Sequence, residues 1–394
     1  MGRIKMALTG NEAGAWAFRH ANPDCAAAFP ITPQTELMHK FADFVADGDV
    51  DTELVLVESE HSAMSAVVGM SAAGARAFTA TAANGLALMW EILYIAASTR
   101  LPIVMAVVNR ALSAPINIHS DHSDTMGARD AGWIQIYAEN SQEVYDNIIQ
   151  AFKIAEDERV LLPVMVSFDG FIISHTTELV EILDEDEALD FIGHERKAKF
   201  SVLDVENPIT VGPLDLQDYY MEHKRQQIEA MFNAPPVIKE VGKAYGELTG
   251  RYYDFFHPYR CDDAEVVIIA LGSTAGTAKV AIDRMRDKGH KVGLVKLRVF
   301  RPFPHEELAK FLKNFKVVGV MDRSASFGAQ GGPVFTEIRS ALYGLPNPPL
   351  VVDYLYGLGG RDIKATEIEE ILSQLLEFRT KTPETLFNVW GVRE

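Results

Sequence analysis

Apolar residues in this chain come in short runs of strand length, separated by longer stretches with helical spacing. LVLV at 54–57 is an apolar run of strand length, and PIVMAVV at 102–108 and LPVMVS at 162–167 are near-continuous apolar runs that read as buried strands. Between them 11–21, 36–46, 86–98 and 142–156 read as helices, and 25–29 and 77–80 as two further strands. This alternation predicts an α/β fold, a parallel sheet flanked by helices. The helix after 54–57 reads AMSAVVGMSAAGA. Its Ala, Ser and Gly let another backbone approach closely, so it is expected to pack against a further large surface.

The regularity breaks down from 178 to about 220. That segment is acidic, punctuated by proline and too long for a simple connection, so it is expected to wrap over a surface. A largely polar helical region at 217–249 leads away from it. A second alternation opens with EVVIIAL at 265–271 and continues with strands at 291–297, 317–321 and 350–354. Helices are expected at 277–288, 305–314, 333–343 and 367–378. The organisation predicted is a first domain at 1–235, a linker at 236–262 and a second α/β domain at 263–394. A length of 394 residues suits two or three domains. No short-period repeat or low-complexity tract is present.

Composition narrows the function. A formal charge of −18 argues against a nucleic-acid binder, which needs clustered Lys and Arg. Only Cys25 and Cys261 are present, so this chain alone builds neither a CxxC zinc site nor a four-cysteine iron–sulfur cluster. The opening MGRIKMALTGNEAGAWAF has no signal-peptide core. The apolar stretch 82–108 is broken by Asn84, Glu91, Arg100 and Pro102, so it reads as a buried helix and strand and not as a membrane span. The cytoplasm is the expected location.

Several residues at strand ends are candidates for chemistry, each with a plainer reading beside it. In FPITP at 29–33, two prolines around Thr32 make a stiff turn that either aims the hydroxyl at a cleft or serves only as a turn. Glu58 and Glu60 follow the 54–57 strand. They are either a close carboxylate pair with one raised pKa or simply acids at a helix start. Arg110 ends the buried 102–108 run, where it can take a carboxylate fork-to-fork or form a structural ion pair. His119-x-x-His122 and Asp121-x-x-Asp124 have metal-ligand spacing, but no third ligand cluster accompanies them, and a hydrogen-bonded loop is the favoured reading. GSTAG at 272–276 resembles an anion-binding helix start without matching a nucleotide fingerprint.

Taken in order, the motifs resemble the α subunit of multi-subunit 2-oxoacid:ferredoxin oxidoreductases, most closely the pyruvate enzymes. The matching stretches include FPITPQTE at 29–36, VESEHSAMSAVVGMSAAGARAFTATAANGLALM at 57–89 and LPIVMAVVNRALSAPINI at 101–118. DHSD at 121–124, RDAGWIQIYAEN at 129–140, EDERVLLPVMVSFDGF at 156–171, GSTAGT at 272–277, FRPFP at 300–304 and GLGGRD at 357–362 extend the likeness over essentially the whole chain.

The resemblance implies a pyrimidine-binding domain of the thiamine diphosphate enzymes followed by a transketolase C-terminal-like α/β domain. By position, Glu60 matches the acid that hydrogen-bonds the cofactor's aminopyrimidine, Arg110 the ligand of the substrate carboxylate, and Thr32 a hydroxyl that holds substrate oxygens. Pro30, Ile31, Ala83 and Asn84 match positions beside the cofactor. Ala83-Asn84 departs from the Ser-Gln common in relatives, and His119 from a common Trp.

The resemblance also implies that the diphosphate and Mg2+ site and the [4Fe–4S] clusters belong to a β subunit and a ferredoxin-like δ subunit, that a γ subunit completes the complex, and that ferredoxin accepts the electrons with coenzyme A as co-substrate. Pyruvate is the expected 2-oxoacid, with 2-oxoisovalerate or 2-oxoglutarate as alternatives. A non-catalytic assembly subunit is a further alternative. Neither a nucleic acid nor a membrane is an expected partner.

Overall fold

The computed structural model describes residues 3–196 and 198–393. Its larger sheet has seven strands in the order Val299–Arg301, Ile134–Tyr137, Val164–Asp169, Val104–Asn109, Ala77–Thr81, Cys25–Ala28 and Glu53–Leu56. All neighbours are parallel except the first pair, where Val299–Arg301 runs antiparallel to Ile134–Tyr137. The chain leaves Cys25–Ala28 to one side for Glu53–Leu56 and returns on the other side with Ala77–Thr81. That reversal is the kind of switch point at which α/β sheets open a crevice outside the strands' carboxyl ends.

Every residue of Val104–Asn109 is buried. Its side chains alternate, Val104, Ala106 and Val108 entering one apolar core while Met105 and Val107 enter the other. The first core lies under helices Gly10–Ala21, Thr35–Asp47 and Ser141–Glu156. The second lies under Glu60–Ala72, Ala83–Leu88 and Trp90–Ser98. Each buried Val, Leu or Met contributes about 1.5–3 kcal/mol relative to exposure, so both faces must be covered.

The second sheet has six strands, Phe387–Val389, Leu350–Leu355, Val317–Asp322, Val266–Ala270, Val292–Leu297 and Phe256–Tyr259, with only the last antiparallel. Helices Thr274–Asp287 and Ala365–Glu377 cover one face, and His305–Leu312 and Pro333–Leu342 the other. This is the α/β architecture expected for both halves.

The differences lie between the halves and at the edges. The stretch 236–262, expected as a linker, is largely structured. Helix Tyr220–Thr249 runs into it without interruption despite Pro235 and Pro236, and Phe256–Tyr259 is an edge strand of the second sheet. Val299–Arg301 in turn adds an edge strand to the first sheet, so each half borrows from the other's side of the boundary.

Strands Ile4–Leu8 and Glu178–Ile182 form a separate antiparallel pair. The irregular stretch therefore begins after helix Glu185–Ile192. It crosses the end of the small-residue helix, where Val202 N–H donates to Ala72 O (3.0 Å) and Arg196 donates to Ala75 O (2.6 Å). The 86–98 helix is two helices meeting at Met89. Among the described residues no helix is long and apolar enough to cross a membrane.

Candidate active site

Four neighbouring strands of the larger sheet deliver the candidate residues. Thr32 follows Cys25–Ala28, Glu60 follows Glu53–Leu56, Ala83 and Asn84 follow Ala77–Thr81, and Arg110 follows Val104–Asn109. All emerge at the same carboxyl-terminal edge.

Glu60 is the first residue of its helix, and the cap belongs to Ser59, whose hydroxyl accepts from Ser62 N–H (3.2 Å). The capping role being filled, Glu60 turns inward, and the residue is 7% exposed. It lies against Gly85. A Cβ there would stand 2.7 Å from Glu60 Oε1 and 2.5 Å from Thr81 Oγ1, so any side chain at 85 would have to displace them. Among the described residues the Glu60 carboxyl has no hydrogen-bond donor, and Thr81 Oγ1 is buried without a partner. Glu58 behaves differently. It faces solvent and accepts from the Ser62 hydroxyl, which holds its carboxyl below the usual range. The two acids diverge and do not form a pair.

Arg110 is equally buried, at 7% exposure. Its Nε donates to Asn117 O (2.7 Å) and its Nη1 to Thr32 O (3.1 Å). No carboxylate of the described residues pairs with it, so the structural ion-pair reading does not hold. A buried guanidinium held by carbonyls alone keeps its charge available to an incoming anion. Thr32 is exposed on the turn that supplies its carbonyl to Arg110. Beside it Pro30 is exposed, and Ile31 is half-buried with its N–H on Gln34 Oε1 (3.3 Å). Asn84 is turned aside, donating from Nδ2 to Ser113 Oγ (3.0 Å) and accepting from Ser113 N–H (3.3 Å).

The loop 119–124 holds no metal cluster, and among the described residues no group of three His, Cys, Asp or Glu is arranged as one. Its members go to different partners. Asp121 Oδ2 accepts from Gly359 N–H (3.0 Å), His122 Nε2 meets Asp169 Oδ1 (2.9 Å), and His119 packs on Gly360. Asp124 is wholly buried and accepts from Ala83 N–H (3.1 Å) and Arg110 N–H (3.0 Å). The loop is a hydrogen-bonded support behind the site. Gly85 and the supporting part of Asp124 are not apparent in the sequence, where the only signals are a lone glycine and a DxxD spacing.

Two cavities, of about 950 Å³ beside Tyr94, Arg196 and Phe200 and about 720 Å³ beside Glu143, Arg251 and Lys296, lie away from these strand ends. On the Glu60–Arg110 edge Pro30, Thr32 and Glu58 are exposed in the single chain.

Known proteins carry the same arrangement of domains. Residues 17–243 match the family model described as pyruvate flavodoxin/ferredoxin oxidoreductase, thiamine diphosphate-binding, and 264–368 match pyruvate:ferredoxin oxidoreductase core domain II. A pyruvate synthase subunit PorA of Thermotoga maritima is 57% identical over 93% of both chains. A ketoisovalerate oxidoreductase subunit VorA of Pyrococcus abyssi is 46% identical over 94% of this chain and 93% of its own.

Among solved structures, 2-oxoglutarate:ferredoxin oxidoreductase of Magnetococcus marinus, with 2-oxoglutarate, coenzyme A and succinyl-CoA bound, aligns at a TM-score of 0.73. It is 20% identical, over 95% of this chain and 65% of that one. A split-gene transketolase aligns at 0.56 and 14% identity over 95% of this chain and all of its own. These two show the fold. With the family models and the close relatives spanning nearly the whole length, the chain belongs to the pyruvate flavodoxin/ferredoxin oxidoreductase family, as an α subunit with its thiamine-diphosphate-binding domain.

Proposed function

We propose that this subunit supplies one wall of an active site that performs pyruvate + coenzyme A + oxidised ferredoxin ⇌ acetyl-CoA + CO2 + reduced ferredoxin. The observation that carries the reading is the delivery to one sheet edge of two buried residues, Glu60 with no donor on its carboxyl and Arg110 with no carboxylate on its guanidinium. The cradle formed by Glu60, Thr81 and Gly85 fits a flat ring with nitrogen donors, as the aminopyrimidine of thiamine diphosphate has. When bound, that cofactor supplies the electron sink for decarboxylation. Glu60 holds a proton between its Oε and a ring nitrogen, the task for which a carboxyl is sheltered from water. Arg110 takes the 2-oxoacid carboxylate, and the Thr32 hydroxyl donates to a substrate oxygen.

Leu56, Trp90 and Ile116, large apolar side chains left exposed near that edge, support a site completed by another chain. We assign the diphosphate and its Mg2+ to a β subunit, the [4Fe–4S] clusters to a ferredoxin-like δ subunit, and completion of the complex to a γ subunit. Electrons pass to ferredoxin, and coenzyme A collects the acetyl group. Pyruvate is favoured over 2-oxoisovalerate because identity is 57% to a pyruvate synthase subunit and 46% to a ketoisovalerate one. A panel of 2-oxoacids with the co-purified complex tests the choice. Glu60→Gln should leave the complex assembled while lowering turnover at least a hundredfold, a typical loss for general acid–base groups. Turnover close to wild type would remove Glu60 from the chemistry.

A further inference from the structure

Ala83 and Arg110 sit at the ends of adjacent strands, yet neither is fixed by the sheet. Ala83 has φ +37°, a conformation costly for a residue with a Cβ. It begins a helix whose preceding residue, Ala82, offers no side-chain cap. Both backbone N–H groups end on a single oxygen, Asp124 Oδ2, at 3.1 and 3.0 Å. The other oxygen accepts from Asn109 Nδ2 (2.8 Å) and Thr125 N–H (2.7 Å). Asp124 is thus the common tie between the turn 82–85, which contains the Gly85 floor under Glu60, and the backbone that aims Arg110.

We propose that Asp124 is a positioning residue that keeps the turn beneath the cofactor ring and the substrate-binding Arg110 in register. The inference rests on the assignment of Glu60, the turn and Arg110 as binding groups. Only an ionised carboxylate accepts four donors at once. A protonated one turns an O–H toward N–H groups that cannot accept it. Burial pushes the Asp124 carboxyl up to about 6, opposed by the N–H of Arg110, the Asn109 amide and the N–H of Thr125, and assisted by the charge of Asp121.

The titratable and charged groups acting on it are Arg110, just past strand Val104–Asn109, Asp121 on its own segment, and Tyr137 of strand Ile134–Tyr137, whose hydroxyl feels the Asp124 charge. Helix Ala83–Leu88 adds no titratable side chain. Protonation of Asp124 therefore loosens the tie as pH falls through about 6.

The test uses the assembled holoenzyme, with kcat, KM for the 2-oxoacid, and cofactor affinity measured from pH 5 to 8. Asp124→Asn should assemble and raise KM roughly tenfold, the size of one lost charge-assisted hydrogen bond. It should also lack the wild-type acid limb near pH 6. Combined with Arg110→Ala it should raise KM no further than Arg110→Ala alone, because Asp124 acts on substrate through Arg110.

Asn109→Ala offers a second measurement should Asp124→Asn fail to assemble. Removing a donor to the carboxylate raises its pKa, so the acid limb should move to higher pH. An unmoved limb, an unchanged KM in Asp124→Asn, or fully additive KM effects in the double variant each overturn the inference. If instead Glu60→Gln and Arg110→Ala retain wild-type activity, the assignment of the site itself fails.

Discussion

The candidate site turns on which carboxyls are already satisfied. Ser59 caps the helix and Glu58 bonds Ser62 in solvent, so Glu60 is the acid left over, buried and facing Gly85. Glycine at 85 is needed for space and not for backbone freedom, because a methyl group there would touch both Glu60 and Thr81. Gly85→Ala is therefore expected to push Glu60 aside and weaken thiamine diphosphate binding at least tenfold. That is the scale of about 1–3 kcal/mol for an inserted methyl group in a tight site. Cofactor titration of the assembled complex measures it, and wild-type affinity would mean that the ring does not lie on this floor. None of this is visible in the sequence, where VESEH offers two equivalent acids and a helix cap explains either. The motif order selected Glu60 by resemblance; only the geometry gives the physical reason.

At the scale of elements, strands buried on both faces were legible because apolar runs such as PIVMAVV leave no solvent-facing positions. Ile134–Tyr137 was not, since IQIY alternates and its Gln135 is buried through a hydrogen bond to Thr125 O (2.8 Å). Ile4–Leu8, IKMAL, gives little strand signal because Ile4, Lys5 and Ala7 face solvent and only Leu8 is buried.

Helix Pro333–Leu342 shows an element held by chemistry that no pattern reports. Asp322 accepts from Val334 N–H (3.0 Å) and Phe335 N–H (2.9 Å) at its start, and Asp353 accepts from Gly332 N–H (2.6 Å). Both carboxyls are wholly buried and adjacent. Burial pushes both up, and for Asp322 the neighbouring Asp353 charge adds to it, so the pair retains a proton that unfolded aspartates have lost. Because the folded values are raised, the stability they provide is complete below about pH 4 and is lost as pH rises through the folded values. Thermal unfolding from pH 5 to 8 should show a falling midpoint. Asp353→Asn, which mimics the protonated partner, should flatten that slope by on the order of 2 kcal/mol. An identical slope in the variant would count against the shared proton.

The two halves of the molecule are fastened by a buried ionic cluster around Asp169. Asp169, at the end of a first-sheet strand, meets Arg323 (3.3 Å) and Ser273 (2.5 Å, from its hydroxyl) of the second half, and His122 (2.9 Å) of the loop between. Burial acts to raise its carboxyl, but Arg323 and His122 outweigh it and hold it well below the usual range. The GLGG turn completes the contact. Gly359 and Gly360, at φ +62° and +78°, receive Asn117 and His119 where a Cβ would collide with either. The same 117–124 loop whose Asp124 supports Arg110 is thus clamped by the second half, which gives the transketolase-like domain a structural part in shaping the site.

A folded-state pKa below the unfolded one means that the stability from Asp169 is present above about pH 4 and is lost as pH falls below it. Arg323→Ala strands a buried carboxylate, a loss of roughly 3–5 kcal/mol. Calorimetry of that variant should show a lower first transition and the two halves unfolding separately. Because the clamp also sets loop 117–124, KM for the 2-oxoacid should rise in the surviving complex. One cooperative transition at the wild-type temperature would mean that the shared edge strands, Phe256–Tyr259 and Val299–Arg301, hold the halves together without the ionic cluster.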